Sequence, residues 1–142
     1  MMTLNPYIRF EDTCREAMEF YKECLGGELT MQTVGESPMA ETMPEGKDKI
    51  MHATLTIDGR PILMGSDLAE PEGYIKGNTF VISLNFDSET ELREIFKRLS
   101  EGGNVTRQPT EEFWGGIYGS LTDKYGVPWM CNYQKTPIKT NT

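Results

Sequence analysis

The sequence predicts an α+β fold of two paired βαβββ modules, with curved sheets around a shared cavity. Three observations lead there. The order strand, helix, three strands is written twice within 142 residues. Both helical stretches stop at a glycine pair, Gly26-Gly27 and Gly102-Gly103. Each half then closes on a strand, a polar turn and a strand, around Asp58-Gly59 first and Asp123-Lys124-Tyr125-Gly126 second. A single four-stranded sheet with one helix would leave a face exposed. Burial is therefore expected to come from two sheets curling against each other, each with a helix on its outer side. Module one is placed at about 1–70, the linker at 71–77, module two at 78–134 and a frayed tail at 135–142.

Residues 7–10 alternate and form the first expected strand, entered through Asn5-Pro6. Asp12 and Thr13 offer oxygen acceptors for the start of a helix. Its apolar face is Ala17, Phe20, Tyr21, Cys24 and Leu25. Residues 28–34 alternate as the second strand, and 35–49, with two prolines and two glycines, read as a surface loop. Residues 50–57 form the third strand, with His52, Thr54 and Thr56 on one face and Ala53, Leu55 and Ile57 on the other. Residues 62–66 form the fourth. In the second half the strand at 79–86 precedes a helix capped by Asp87 or Ser88, with Leu92, Ile95, Phe96 and Leu99 inward. Strands at 104–108, 113–122 and 129–133 follow. Pro128 suits a strand start, because it brings no ladder donor.

Fourteen basic and twenty-two acidic side chains give a formal charge of −8. That balance repels phosphate backbones, and no basic patch offsets it, so no nucleic-acid partner is expected. No apolar run approaches the length of a membrane span, and the chain starts without a basic leader, so no membrane is expected and the protein is placed in the cytoplasm. Cys14, Cys24 and Cys131 match no metal spacing, and their odd number suits reduced thiols.

The segments Asn5-Pro-Tyr-Ile-Arg-Phe10, Ala17 through Gly27, Met51 through Ile57, Ile62-Leu-Met-Gly-Ser-Asp67, Trp114-Gly115 and Asp123 through Trp129 recur in an order that resembles the vicinal oxygen chelate superfamily. That superfamily includes glyoxalase, bleomycin-resistance and extradiol dioxygenase proteins. Within it the chain is similar to the PhnB-like branch, whose members are often labelled 3-demethylubiquinone methyltransferase-like. The resemblance implies a homodimer and a site for a small organic molecule. In metal-using relatives the ligands are His, Gln or Glu, at places that fall near Asn5, Leu63 or Met64, Val81 and Met130. None of these is a His or Glu, so the expectation is no metal and no cofactor. No Gly-x-Gly-x-x-Gly precedes a helix, so the methyltransferase-like label has no matching cofactor signature here.

His52 is the single histidine, suited to proton transfer if a partner is close. Asp67 is its candidate partner, which makes His52 and Asp67 the candidate catalytic residues. Tyr7, Arg9, Trp114 and Tyr118 are the candidate ligand-binding residues. Aromatic rings would take a flat ligand, and Arg9 or Arg107 could hold an acidic group bidentately. Trp129 and Asp123 are read as structural, and Glu111-Glu112 as a solvated pair that could serve as a base. The leading expectation is metal-independent binding of a small organic molecule, aromatic or acidic. The alternatives are a lyase, isomerase or hydrolase using His52 as acid/base, and an interaction protein without a ligand. Whether the chain is an enzyme stays open at this point.

Overall fold

The computed structural model describes residues 2–42, 44–67 and 74–134. The expected tail, and residues 71–73 of the expected linker, lie outside them. The chain divides into two compact units, Met1–Lys76 and Gly77–Thr142. Each is a βαβββ module with one four-stranded mixed sheet.

Module one contains β1 (Tyr7–Arg9), α1 (Cys14–Leu25), β2 (Glu28–Thr33), β3 (Ile50–Ile57) and β4 (Arg60–Ser66), in sheet order β1-β4-β3-β2. β1 runs parallel to β4, and the other pairs are antiparallel. Cys14, Ala17, Met18, Phe20, Tyr21 and Cys24 recur at helical spacing and are buried against the sheet side that carries Ala53, Leu55 and Leu63. The opposite side holds the alternate residues. Register puts Tyr7, Met64, Thr54 and Thr30 in one row across it.

Neither Asp12 nor Thr13 caps α1. Thr13 precedes the helix without a side-chain bond, and Asp12 has φ of 65°. The first helical N–H, of Cys14, donates instead to Oδ1 of buried Asp67 at 2.9 Å. Asp67 Oδ2 accepts from the Ile50 N–H at 2.9 Å. One remote carboxylate thus joins the start of α1 to the start of β3, supplying acceptors that local sequence does not. Val34–Glu36, Pro38–Ala40 and Pro44–Gly46 are short 3-10 turns, and the ends of this stretch are tied by Val34 N–H to Lys49 O at 2.9 Å and by a Lys49–Asp12 ion pair at 3.0 Å.

Module two contains β5 (Ile82–Phe86), α2 (Glu89–Ser100), β6 (Asn104–Glu111), β7 (Gly116–Thr122) and β8 (Pro128–Gln134), in the matching order β5-β8-β7-β6. Leu92, Phe96 and Leu99 are the buried stripe of α2. Ser88 caps this helix as expected, its hydroxyl accepting from Glu91 N–H at 3.2 Å. Asp123 Oδ1 accepts from the N–H groups of Tyr125 and Val127 at 2.8 and 3.0 Å, and its Oδ2 accepts from Trp129 Nε1 at 2.8 Å. The turn aspartate therefore also satisfies an indole that is 1 % exposed.

Several strand bounds differ from expectation for local reasons. β4 begins at Arg60 because Asp58 and Gly59 both take positive φ, 51° and 78°, and turn the hairpin within two residues. Pro61 then falls where the register shifts, so the ladder loses little. β5 starts only at Ile82, with Phe80 left exposed. β6 continues through Pro109 to Glu111, as an edge strand permits, and β7 starts at Gly116 rather than Phe113.

Candidate functional site

The side of each sheet away from its helix collects most of the expected site residues. On module one, His52 is held between two hydroxyls. Tyr7 Oη lies 3.4 Å from Nδ1, and Thr54 Oγ1 lies 3.0 Å from Nε2. The Tyr7 and His52 rings are 5.7 Å apart between centroids and tilted by 35°. Strand alternation puts Tyr7 and Arg9 on the same side of β1, and Gln32 stands opposite His52 in the ladder. A neutral imidazole has one donor and one acceptor. In either tautomer one flanking hydroxyl accepts from the ring and keeps its own proton for a further partner. The sequence placed His52 and Thr54 on a common face, but it did not assign Thr54 a role.

Asp67 is placed apart from this group. Its two oxygens hold the backbone N–H groups of Cys14 and Ile50, whereas the hydrogen bonds of His52 go to Tyr7 and Thr54.

On module two the corresponding side carries Ser83, Met130 and Ser120 in one row and Asn85, Asn132 and Tyr118 in the next. Asn132 Nδ2 donates to Ser83 Oγ at 3.2 Å, and the hydroxyls of Thr106 and Ser120 bond at 2.7 Å. The Arg107 guanidinium lies over the Tyr118 ring, 5.7 Å from its centroid. It donates to Glu112 Oε1 at 2.6 Å. In an unbroken strand, residues five apart point to opposite sides. The register of β6 shifts on both sides of Arg107, and Glu112 lies just past the end of the strand, so that parity does not hold between them. That is why the Arg107–Glu112 pair was not readable from spacing, although both residues were singled out. Trp114 rests against Gly116, where a Cβ would collide with the indole ring. Gly116 and Tyr118 are two apart in β7, so the seat of Trp114 and the Tyr118 ring share a side. Trp114 remains 38 % exposed.

Cys14 and Cys131 are not poised as nucleophiles. Burial, with Asp67 nearby, pushes the Cys14 thiol up to about 12, and burial pushes that of Cys131 up to about 12. Among the described residues, no group of three His, Cys, Asp or Glu side chains could hold a metal ion. The donors around His52 are phenol and alcohol, with Gln32 alongside, a set that does not fit a divalent transition metal. Among the described residues no helix is long and apolar enough to cross a membrane.

Comparison with known proteins agrees with this architecture. The family model described as the Glyoxalase/Bleomycin resistance protein/Dioxygenase superfamily matches residues 3–131. Protein YjdN of Escherichia coli (strain K12) is 34% identical over 144 residues, covering 94% of this chain and 97% of that protein. The crystal structure of PA1353 from Pseudomonas aeruginosa superposes with a TM-score of 0.80 at 40% identity, covering 94% of this chain and 98% of that one. The PhnB protein from Bacillus cereus shares the fold at 22% identity, with a TM-score of 0.74 over 93% of this chain and 99% of that one. With a repeated βαβββ module and a match along nearly its whole length, the chain belongs to the glyoxalase/bleomycin resistance protein/dioxygenase superfamily.

Proposed function

We propose that this protein binds a small planar organic acid without a metal ion. The observation that carries the reading is the Arg107 guanidinium, fixed by Glu112 over the Tyr118 ring on the sheet side where Trp114 is seated. A guanidinium held in one orientation offers paired donors to a carboxylate, and the indole offers a flat apolar surface to a ring. Within module one, Tyr7, Arg9 and His52 bring hydroxyl, guanidinium and imidazole groups to the sheet side away from α1. Asn5-Pro6-Tyr7 and Asp123 through Trp129 support a place in the PhnB-like branch. A cytoplasmic homodimer goes with this reading, and sedimentation at micromolar concentration checks the dimer.

Trp114 is the exposed one of two tryptophans, and Trp129 is buried, so indole emission reports on the site directly. Titration with a panel of aromatic carboxylates should quench Trp114 saturably in at least one case. Arg107→Ala should then weaken that ligand about tenfold, as loss of a charge-assisted hydrogen bond implies. Quenching that is linear in concentration for every acid tested would contradict the proposal.

A second reading, an acid/base enzyme, is favoured by the Tyr7–His52–Thr54 chain of hydroxyl and imidazole groups. Such a chain can take a proton at one end and release one at the other. In this reading Tyr7 and Thr54 stand beside the imidazole, and Asp67 acts through the backbone it holds. His52→Ala then abolishes turnover and leaves the urea unfolding midpoint nearly unchanged.

A further inference from the structure

On the helix side of the module-two sheet, a groove of about 330 Å³ runs between α2 and the edge strand β6. Phe96, Val105 and Pro109 supply its apolar surface, and Arg93, Lys97, Ser100 and Gln108 supply its polar rim. Its origin is local. The register of β6 against β7 shifts twice, between Val105 and Arg107 and again between Arg107 and Thr110. Each shift bends the strand away from a regular ladder. Gly119 lies beneath, where a Cβ would stand only 2.9 Å from Phe96 Cε2 and 3.1 Å from Pro109 Cγ, so the bare backbone lets both rings settle against the sheet. In β2, the corresponding edge strand of module one, register is regular from Glu28 to Gln32.

We propose that this groove is a second binding site, for a small organic anion with a compact apolar body. Charge complementarity argues for the anion. The chain carries a formal charge of −8, yet the rim of the groove presents two cations one helical turn apart. Arg93 shares its charge with Glu89 at 3.0 Å, and Lys97 has no ion-pair partner among the described residues. Lys97 is thus the free cation over an apolar surface, with Gln108 across from it on the strand. An acid group on Lys97 and a ring or branched chain on Phe96 and Pro109 would satisfy both parts. The groove is on the helix side of the module-two sheet and Trp114 is on the other, so the two proposals stand or fall independently.

The test uses the full chain, labelled with nitrogen-15, and two fluorescent probes of one shape. One probe is the anion 1-anilinonaphthalene-8-sulfonate, and the other is its neutral analogue N-phenyl-1-naphthylamine. The anion should shift the amide signals of residues 93–100 and 105–108 saturably. Lys97→Glu, an exposed change, should weaken the anion about tenfold, as reversal of a nearby charge implies, while changing the neutral probe less than about twofold. Trp114→Ala should leave these shifts in place. Shifts confined to residues 114–118 and 52–54, equal weakening of both probes by Lys97→Glu, or no saturation below about 1 mM would each overturn the assignment.

Discussion

The two modules repeat one architecture but secure it differently. α2 takes its cap from Ser88, the residue next to it, whereas α1 takes its cap from Asp67, 53 residues along the chain. The hairpins differ in the same way. Asp58 and Gly59 turn β3 into β4 within two residues, and Asp123 holds a longer turn together through two N–H groups and the Trp129 indole. Each module depends on one buried carboxylate, at the helix entrance in the first and at the hairpin in the second. The same fold can therefore be closed by local chemistry or by a distant partner, and only the local kind has a sequence signature.

Substitutions at these points should separate the modules by size of effect. Asp123→Ala removes the acceptor for three donors and should cost about 3–5 kcal/mol, the largest loss in the set, read by urea unfolding. Asp67→Ala leaves two N–H groups and should cost about 2–4 kcal/mol. If the two losses were equal and small, the carboxylates would not be what closes the modules.

Caps give a smaller contrast. Ser88→Ala should cost about 1 kcal/mol and Thr13→Ala no more than about 0.5 kcal/mol, since only Ser88 makes the bond. A Thr13 effect as large as that of Ser88 would break the distinction between local and remote capping.

Cys14 in module one and Cys131 in module two are buried thiols raised alike, and here the modules should behave alike. Both folded-state values are raised, to about 12, above that of a thiol in the unfolded chain. Below the unfolded value both states keep the proton, and the thiols add no pH dependence. Between about pH 9 and 12 the unfolded chain loses the proton and the folded one keeps it, so stability falls as pH rises. The Cys14→Ala and Cys131→Ala variants should each show a shallower alkaline slope than the parent. Neither thiol should react with Ellman's reagent at pH 8 until denaturant is added.

The fold was legible because its signals are short-range. Helical spacing in Ala17, Phe20, Tyr21 and Cys24, the two glycine pairs and the Asp-Gly turns each act within a few residues. Ser88 and Asp123 were legible for the same reason. The reach of Asp67 to Cys14 was not, because proximity created by the parallel pairing of β1 with β4 leaves no mark in spacing. Strand parity placed His52 beside Thr54, but it gave no sign of Tyr7, which comes from another strand. In module two parity failed outright. The two register shifts in β6 bring Thr106 to Ser120 and Arg107 over Tyr118, so consecutive residues reach one side. The same irregularity opens the groove behind the strand.

The most direct test of metal-independent binding is native mass spectrometry of protein purified from its own host, followed by mild denaturation to release what it carries. The account predicts a co-purified organic acid whose occupancy falls in Arg107→Ala, with no metal retained after dialysis. A stoichiometric divalent metal that survives dialysis, and whose removal abolishes ligand binding, would contradict it.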